Sequence, residues 1–437
     1  MGHIAGKDIY RTLGKKIDNL SMRVPWNERF REILIELYSE DEAELFIKMP
    51  YGLSSFDRIK KVTKYESSKL HKILNSLCSK GLVIDLRLHD NYYYMPSPMV
   101  IGIFEFTMMR TGDGLDTKKW ARLLNQYMQE DGSFYHANLA KGEKISFMRT
   151  LPHEEVITPS EFIEVLDYEK AWTIIKESDK FSIGLCSCRH EKLHLGEKKC
   201  DVPLDTCSSF GMAAEFLIRN NLAKEVSKSE MLENLARSKE IGLVLNADNV
   251  QRNVTYICHC CKCCCNALLG ISKHGYPNTI VTSNFIAQVN EELCKGCGKC
   301  AKACPVNAIE LRPVTSASSD KGKRPVIDKN FCLGCGVCAL KCETKALSLV
   351  KRDKRVIHPE TTFERIILQC LEKGTLQYQI FDNPQDINQK IMRAFLGAFL
   401  RLPLVKKALM SDMLQSSFLD WMKKGVGIQG KDWITKI

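Results

Sequence analysis

The chain has no run of about 18 uncharged apolar residues, which argues against a lipid-spanning helix of ordinary length. It opens Met1-Gly2-His3-Ile4-Ala5-Gly6-Lys7-Asp8, without the apolar core of a secretory leader, so a reducing cytoplasm is the expected compartment. No Gly-x-Gly-x-x-Gly follows a strand pattern, and there is neither a Walker-type phosphate loop nor a Cys-x-x-Cys-His step. These absences argue against a nicotinamide, an ATP or a covalent haem held by this chain itself.

What the chain does have is cysteine: 20 among 437 residues, nearly all between Cys186 and Cys342. Hydrophobic residues make up 44% and charged residues 26%, an ordinary globular balance that excludes a disordered or fibrous chain. The length suits two to four domains and is too great to need disulfide staples. Cys-x-Cys and Cys-Cys steps are also awkward to bridge, whereas thiolates spaced along a turn suit a metal or cluster.

The N-terminal pattern reads helix, helix, helix, then two strands. Phe30, Ile33, Leu34 and Leu37 recur at helical spacing between Asn27 and Tyr38. A short helix from Ser54 to Val62 follows Pro50-Tyr51-Gly52, and a third from Glu66 to Lys80 aligns Leu70, Ile73, Leu74 and Leu77. The run Leu82–Leu88 and the partner Tyr92–Met95 flank a turn at His89-Asp90-Asn91. This order resembles a winged helix-turn-helix domain. The resemblance implies that the third helix could face DNA with Lys69, Lys72, Asn75, Ser76 and Lys80. Eight basic and four acidic residues between Ser54 and Met95 are compatible with phosphate contact. The plainer alternative is a protein-docking or supporting module, and the acidic helix carrying Glu28, Glu32 and Glu36 favours it.

The most specific signal is Cys294-x2-Cys297-x2-Cys300-x3-Cys304-Pro305, repeated as Cys332-x2-Cys335-x2-Cys338-x3-Cys342. A tight glycine-containing turn points three thiolates at three irons of one cube, and the fourth thiol, on a helix, faces the other cube. Here the chain resembles a two-cluster bacterial ferredoxin. That resemblance implies two [4Fe-4S] clusters, one on Cys294, Cys297, Cys300 and Cys342, the other on Cys332, Cys335, Cys338 and Cys304. Glu343 stands where the family usually has proline, and the stretch Arg312–Arg324 lengthens the central hairpin. Ten basic against six acidic residues over 290–350 point to a fixed subunit or an acidic docking partner, since diffusible ferredoxins are usually acidic.

Ten more thiols lie upstream. Cys186, Cys188, Cys200 and Cys207 fall within 22 residues and are expected to hold one further cluster, with zinc or unligated cysteines as alternatives. Arg189 beside them would offset a cluster's negative charge. Cys258-His259-Cys260-Cys261-Lys262-Cys263-Cys264-Cys265 follows a strand read as Asn253–Ile257. A strand would send alternate thiols to opposite faces, so this run is expected to turn around a metal centre. Together the ten could serve two cubanes with two thiols left over, or one larger cluster, and His259 reads as a hydrogen-bonding neighbour or a ligand. Cys78 and Cys370 read as small buried hydrophobes.

The fold expected is therefore a multidomain α+β chain. It comprises a winged-helix-like domain (1–98), a helical connector (99–180), a cysteine-rich metal domain (181–285), a ferredoxin-like βαβ/βαβ module (286–350) and a helical C-terminal segment (351–437). Within that segment, Ile391–Met410 is basic and amphipathic and is broken at Pro403; it would pack on protein or lie on a membrane surface near Arg393, Arg401, Lys406 and Lys407. The function expected is electron relay between the ferredoxin clusters and the upstream site, as a subunit or partner of an anaerobic oxidoreductase. The alternatives are a redox-sensing DNA-binding regulator and a reductase acting at the Cys258–Cys265 centre.

Overall fold

The computed structural model describes residues 8–88, 90–139, 145–159, 165–313, 322–411, 413–428 and 432–436. His89 of the expected turn and 314–321 of the stretch Arg312–Arg324 lie outside these residues.

The N-terminal elements begin where their caps stand. Asn27 accepts the Phe30 N–H at 2.8 Å to open the helix Glu28–Leu37. Ser39 and Glu42 form a reciprocal capping box at the helix Glu40–Lys48. The helices Phe56–Thr63 and Ser67–Ser79 follow, and strands β1 (Ser54–Ser55), β2 (Val83–Leu88) and β3 (Asn91–Pro96) form an antiparallel sheet in the order β1-β3-β2. With Ile9–Asp18 and Glu40–Lys48 added to the three helices expected, Ser67–Ser79 is the fifth helix, and its Leu70, Leu74 and Leu77 are fully buried, as their spacing requires.

The β2–β3 hairpin of this unit is not free. Asp85 on β2 accepts from Arg219 Nε at 2.8 Å and from Asn220 Nδ2 at 2.9 Å, and Tyr92 lies under the Arg219 guanidinium. Tyr93 packs on Trp433 from the far end of the chain. Arg58 pairs with Asp382 at 2.5 Å.

A six-stranded antiparallel sheet in the order β4-β8-β9-β6-β5-β7 carries the upstream cysteines. Its strands are β4 (Met148–Leu151), β5 (Phe181–Leu185), β6 (Asp205–Phe210), β7 (Ala223–Glu225), β8 (Val244–Asp248) and β9 (Tyr256–Cys260). The stretch read as a helical connector thus contributes an edge strand, β4, along with the helices Phe104–Met109 and Thr117–Asn125.

In the ferredoxin stretch, β10 (Phe285–Val289) pairs with β13 (Leu347–Lys351), and β11 (Ile309–Pro313) pairs with β12 (Lys323–Ile327). The short helices Lys299–Ala303 and Val337–Leu340 sit between them. Helices Thr362–Lys373, Ile387–Leu400, Pro403–Leu409 and Gln415–Ile428 close the chain. On the second of these, Arg393 turns inward to the carbonyls of Phe381 and Asn383, while Phe395 (71% exposed) and Phe399 (54%) face outward. Among the described residues no helix is long and apolar enough to cross a membrane.

Candidate metal centres

Two glycines per loop set up the ferredoxin turns. Gly296, Gly298, Gly334 and Gly336 all have positive φ, a conformation that glycine adopts without steric cost. At Gly334 a side chain would run into the backbone oxygen of Phe285, so the Cys332–Cys338 loop lies directly on β10.

Cys304, Cys332, Cys335 and Cys338 line one small cavity whose other walls include Val306, Leu333 and Leu349. All four are buried. Burial pushes the Cys338 thiol well up, and the neighbouring Cys335, Cys332, Cys304 and Cys300 add to it. The Ala308 N–H donates to Cys304 Sγ at 3.2 Å, the kind of amide that steadies a cluster sulfur. Cys294 and Cys300 are buried, Cys342 is half-buried and Cys297 is exposed. The first loop therefore reaches the surface where the second does not. Lys299 pairs with Glu343, which fixes the chain just past Cys342.

The ten upstream thiols fall into two groups, and the division does not follow the sequence. The chain leaves β9 at Cys260, turns through 262–264 and enters the helix Asn266–Ser272. The strand begins at Tyr256 rather than Asn253, so Cys258 and Cys260 belong to it. Being two residues apart they share a face, and His259 takes the other. Its Nε2 lies 2.9 Å from Ser208 Oγ on β6, away from the thiols. Burial and the Arg189 charge push the His259 pKa down to about 3, so the ring is neutral.

Cys186, Cys188, Cys207, Cys258, Cys260 and Cys265 all line a cavity of about 150 Å³. The rest of its wall is largely apolar, with Ile101, Phe104, Phe106 and Phe216. Within this group, hydrogen bonds from Cys258 and Cys265 pull the Cys260 thiol down to about 6, and the bond to Cys207 helps push Cys258 up. The Asn266 N–H donates to Cys188 Sγ at 3.4 Å. Six thiols lining one largely apolar cavity supply the donor type that iron–sulfur clusters use.

Cys200 leaves its sequence neighbours and joins Cys261, Cys263 and Cys264, the four sulfurs lying within 4.8 Å of one another. A hydrogen bond from Cys264 draws the Cys261 thiol down to about 5, burial opposes this, and the Arg189 charge reinforces it.

Arg189 lies between the two groups. It is fully buried and donates to Thr206 Oγ1 at 2.8 Å and to the carbonyls of Pro203 and His259. Burial works against its charge, but Cys186, Cys261 and Cys260 more than offset that, so its pKa stands above the ordinary value.

Residues that no motif marked complete the surroundings. The Lys262 ammonium donates to the Lys302 carbonyl at 3.2 Å, tying the turn to the helix that precedes Cys304. The His153 N–H donates to the Cys335 carbonyl at 3.0 Å, and its ring Nε2 lies 2.8 Å from the Leu243 carbonyl. Cys260 and Cys265 share one continuous apolar core with Cys300, Cys304, Cys332, Cys335 and Cys338. Cys78 and Cys370 are buried away from all of these, 4% and 0% exposed.

Comparison with known proteins bears on the downstream stretch. Residues 293–346 match the 4Fe-4S dicluster domain family. Over 33 residues, 8% of this chain, the sequence is 54% identical to pyruvate synthase subunit PorD of Thermotoga maritima. Over 42 residues, 10% of this chain, it is 43% identical to a subunit of the ion-translocating oxidoreductase complex of Haemophilus ducreyi. The matched parts amount to 33% and 20% of those two proteins. No solved structure matches the chain. Residues 293–346 are a ferredoxin-type iron–sulfur domain.

Proposed function

We propose that this protein relays single electrons from a surface-exposed ferredoxin cluster, through a buried one, to a third centre at the six upstream thiols. The first cluster would be held by Cys294, Cys297, Cys300 and Cys342, where Cys297 is exposed. The second would be held by Cys304, Cys332, Cys335 and Cys338, which share a cavity. The third would use thiols drawn from Cys186, Cys188, Cys207, Cys258, Cys260 and Cys265.

The observation that carries this reading is the common apolar core of Cys260, Cys265, Cys304, Cys335 and Cys338. It puts the buried ferredoxin thiols and the upstream thiols in one dry, tightly packed body, with Lys262 and His153 bridging the two. The clusters supply the one-electron steps. The chain's own part is to hold them in sequence, exclude water and offset their charge, which Arg189 does from a fully buried position. Lys295 and Lys302 around the surface loop suit an acidic redox partner, such as another subunit of an oxidoreductase in a cytoplasmic, anaerobic setting.

The N-terminal unit then acts as a winged-helix-like support. On the helix Ser67–Ser79 Lys69 pairs with Asp41 at 3.0 Å, and Lys80 at its C-terminal cap pairs with Glu42 at 2.7 Å. Those cations answer carboxylates of the same unit, and the wing is docked on Arg219, so a DNA-reading role has less to recommend it.

Iron and acid-labile sulfide per chain, measured after purification without oxygen, test the reading. About twelve irons, with a third signal in low-temperature EPR beyond the coupled ferredoxin pair, is the expected result. About eight irons and two signals would end the relay proposal.

A further inference from the structure

The second thiol group is spaced differently from a cluster site. Cys200 Sγ lies 3.7 Å from Cys261 Sγ, Cys261 Sγ is 4.0 Å from Cys263 Sγ, and Cys263 Sγ is 3.4 Å from Cys264 Sγ. All four are within 4.8 Å of one another. A tetrahedron of sulfurs around one ion, with metal–sulfur bonds of about 2.3 Å, has edges of about 3.8 Å. A cubane holds its cysteine sulfurs farther apart, because each caps a separate iron. A four-sulfur tetrahedral set suits zinc or iron–sulfur chemistry; the spacing excludes a cubane and leaves a single four-thiolate ion, the donor set of a structural zinc, with a single iron as the other outcome of the metal analysis.

We propose that Cys200, Cys261, Cys263 and Cys264 hold one zinc ion in a closed four-thiolate site distinct from the iron–sulfur centres. Cys261 and Cys264 are buried with Val202 and Leu243, and Cys200 and Cys263 are half-buried against them. Four protein ligands leave no open position, which is the arrangement of a structural site. One buried positive charge stands close to the resulting dianion: Arg189, whose charge the Cys261 thiol helps to hold.

The position gives the ion a definite task. Cys200 lies in the loop between the helix Ser187–His194 and β6, and Lys198 fixes that loop by bonding the Cys200 carbonyl. Cys261, Cys263 and Cys264 make up the turn between Cys260 and Cys265, two thiols of the six-thiol group. One ion therefore pins the loop to the turn and fixes how far apart Cys260 and Cys265 stand. Since metal binding and folding are coupled in such sites, the zinc orders the upstream iron site without carrying electrons.

The test uses the full-length protein purified without oxygen. The wild type should contain about one zinc per chain, whose X-ray absorption shows a single shell of four sulfurs at about 2.3 Å and no metal–metal distance. Cys200→Ser should lose that zinc while keeping the iron and sulfide of the ferredoxin pair. Loss of iron and sulfide together at a four-to-one ratio to the chain in Cys200→Ser would overturn the proposal. So would a wild type without zinc, or with zinc bound by nitrogen or oxygen. If Cys200→Ser does not accumulate as folded protein, the wild-type zinc spectrum alone decides. Zinc content and electron relay fail separately: a zinc-loaded protein with only eight or so irons would keep this site and lose the relay.

Discussion

The backbone N–H of His153 donates to the carbonyl of Cys335 at 3.0 Å, while the ring of the same residue lies 2.8 Å from the carbonyl of Leu243. Cys335 belongs to the buried ferredoxin loop, and Leu243 precedes Val244, which pairs with Cys260 across β8 and β9. One fully buried histidine thus joins the two thiol-bearing bodies. Burial holds its pKa below the ordinary value, so the ring is neutral at physiological pH and donates a single hydrogen bond.

Replacing His153 with leucine would keep the volume and leave the Leu243 carbonyl unpaired. The expected cost is about 1–3 kcal/mol of stability, read by anaerobic chemical denaturation of the metal-loaded protein. An unchanged midpoint would show that the ring does not tie the two bodies together.

Arg189 offsets charge for both upstream groups. In Arg189→Gln, metal at these centres should be held about 10–100-fold more weakly, seen as faster release to a chelator. The ferredoxin EPR signals should survive. Arg189→Lys should rescue only partly, because one ammonium cannot reach Thr206, Pro203 and His259 together. Equal release from Arg189→Gln and wild type would remove Arg189 from the account.

Gly334 and Gly425 make a matched pair. Gly334→Ala would force a methyl group into the Phe285 carbonyl at a positive φ, and should cost the protein the cluster on Cys304, Cys332, Cys335 and Cys338. Gly425, on the helix Gln415–Ile428, faces open space, so Gly425→Ala should stabilise the protein by up to about 1 kcal/mol. Iron content and thermal melting of the two variants separate these outcomes.

Glu191 is fully buried beside Cys188 and accepts from Asn266 Nδ2 at 2.8 Å. Burial pushes its pKa up from 4.5 to about 7, against the opposing pull of Lys192. Between those values the folded chain keeps a proton that the unfolded chain has lost, so stability falls as pH rises from 4.5 to 7 and is level above. Glutamine mimics the protonated acid. The stability of Glu191→Gln relative to wild type should therefore grow across that window by up to about 3 kcal/mol. A difference that stays constant with pH would show that the carboxyl does not titrate there.

Much of the local structure was legible in the sequence because its causes are local. Asn27 and Glu66 sit at helix starts for reasons internal to one turn, whereas the capping box at Ser39 and its helix Glu40–Lys48 went unread. The two Cys-x2-Cys-x2-Cys-x3-Cys runs mark their own loops, and the domain match covers both. The division of the upstream thiols was not legible, because long-range pairing sets it. β9 starts later than its apolar run suggests, which places Cys258 and Cys260 on one face. The β6 pairing in turn brings Cys207 to Cys258 from 51 residues away, Ser208 lying opposite Ile257. Cys200 reaches Cys261 only through the fold of its loop. β4 hid because its four residues include Arg149, a buried cation whose partners, the carbonyls of Tyr168 and Val250, lie far along the chain.

The most direct test of the relay is freeze-quench EPR of the fully loaded protein mixed with a strong one-electron reductant. The signal of the exposed ferredoxin cluster should appear first, and that of the upstream centre should rise as it decays. An upstream centre that stays oxidised while both ferredoxin clusters become and remain reduced would contradict the account.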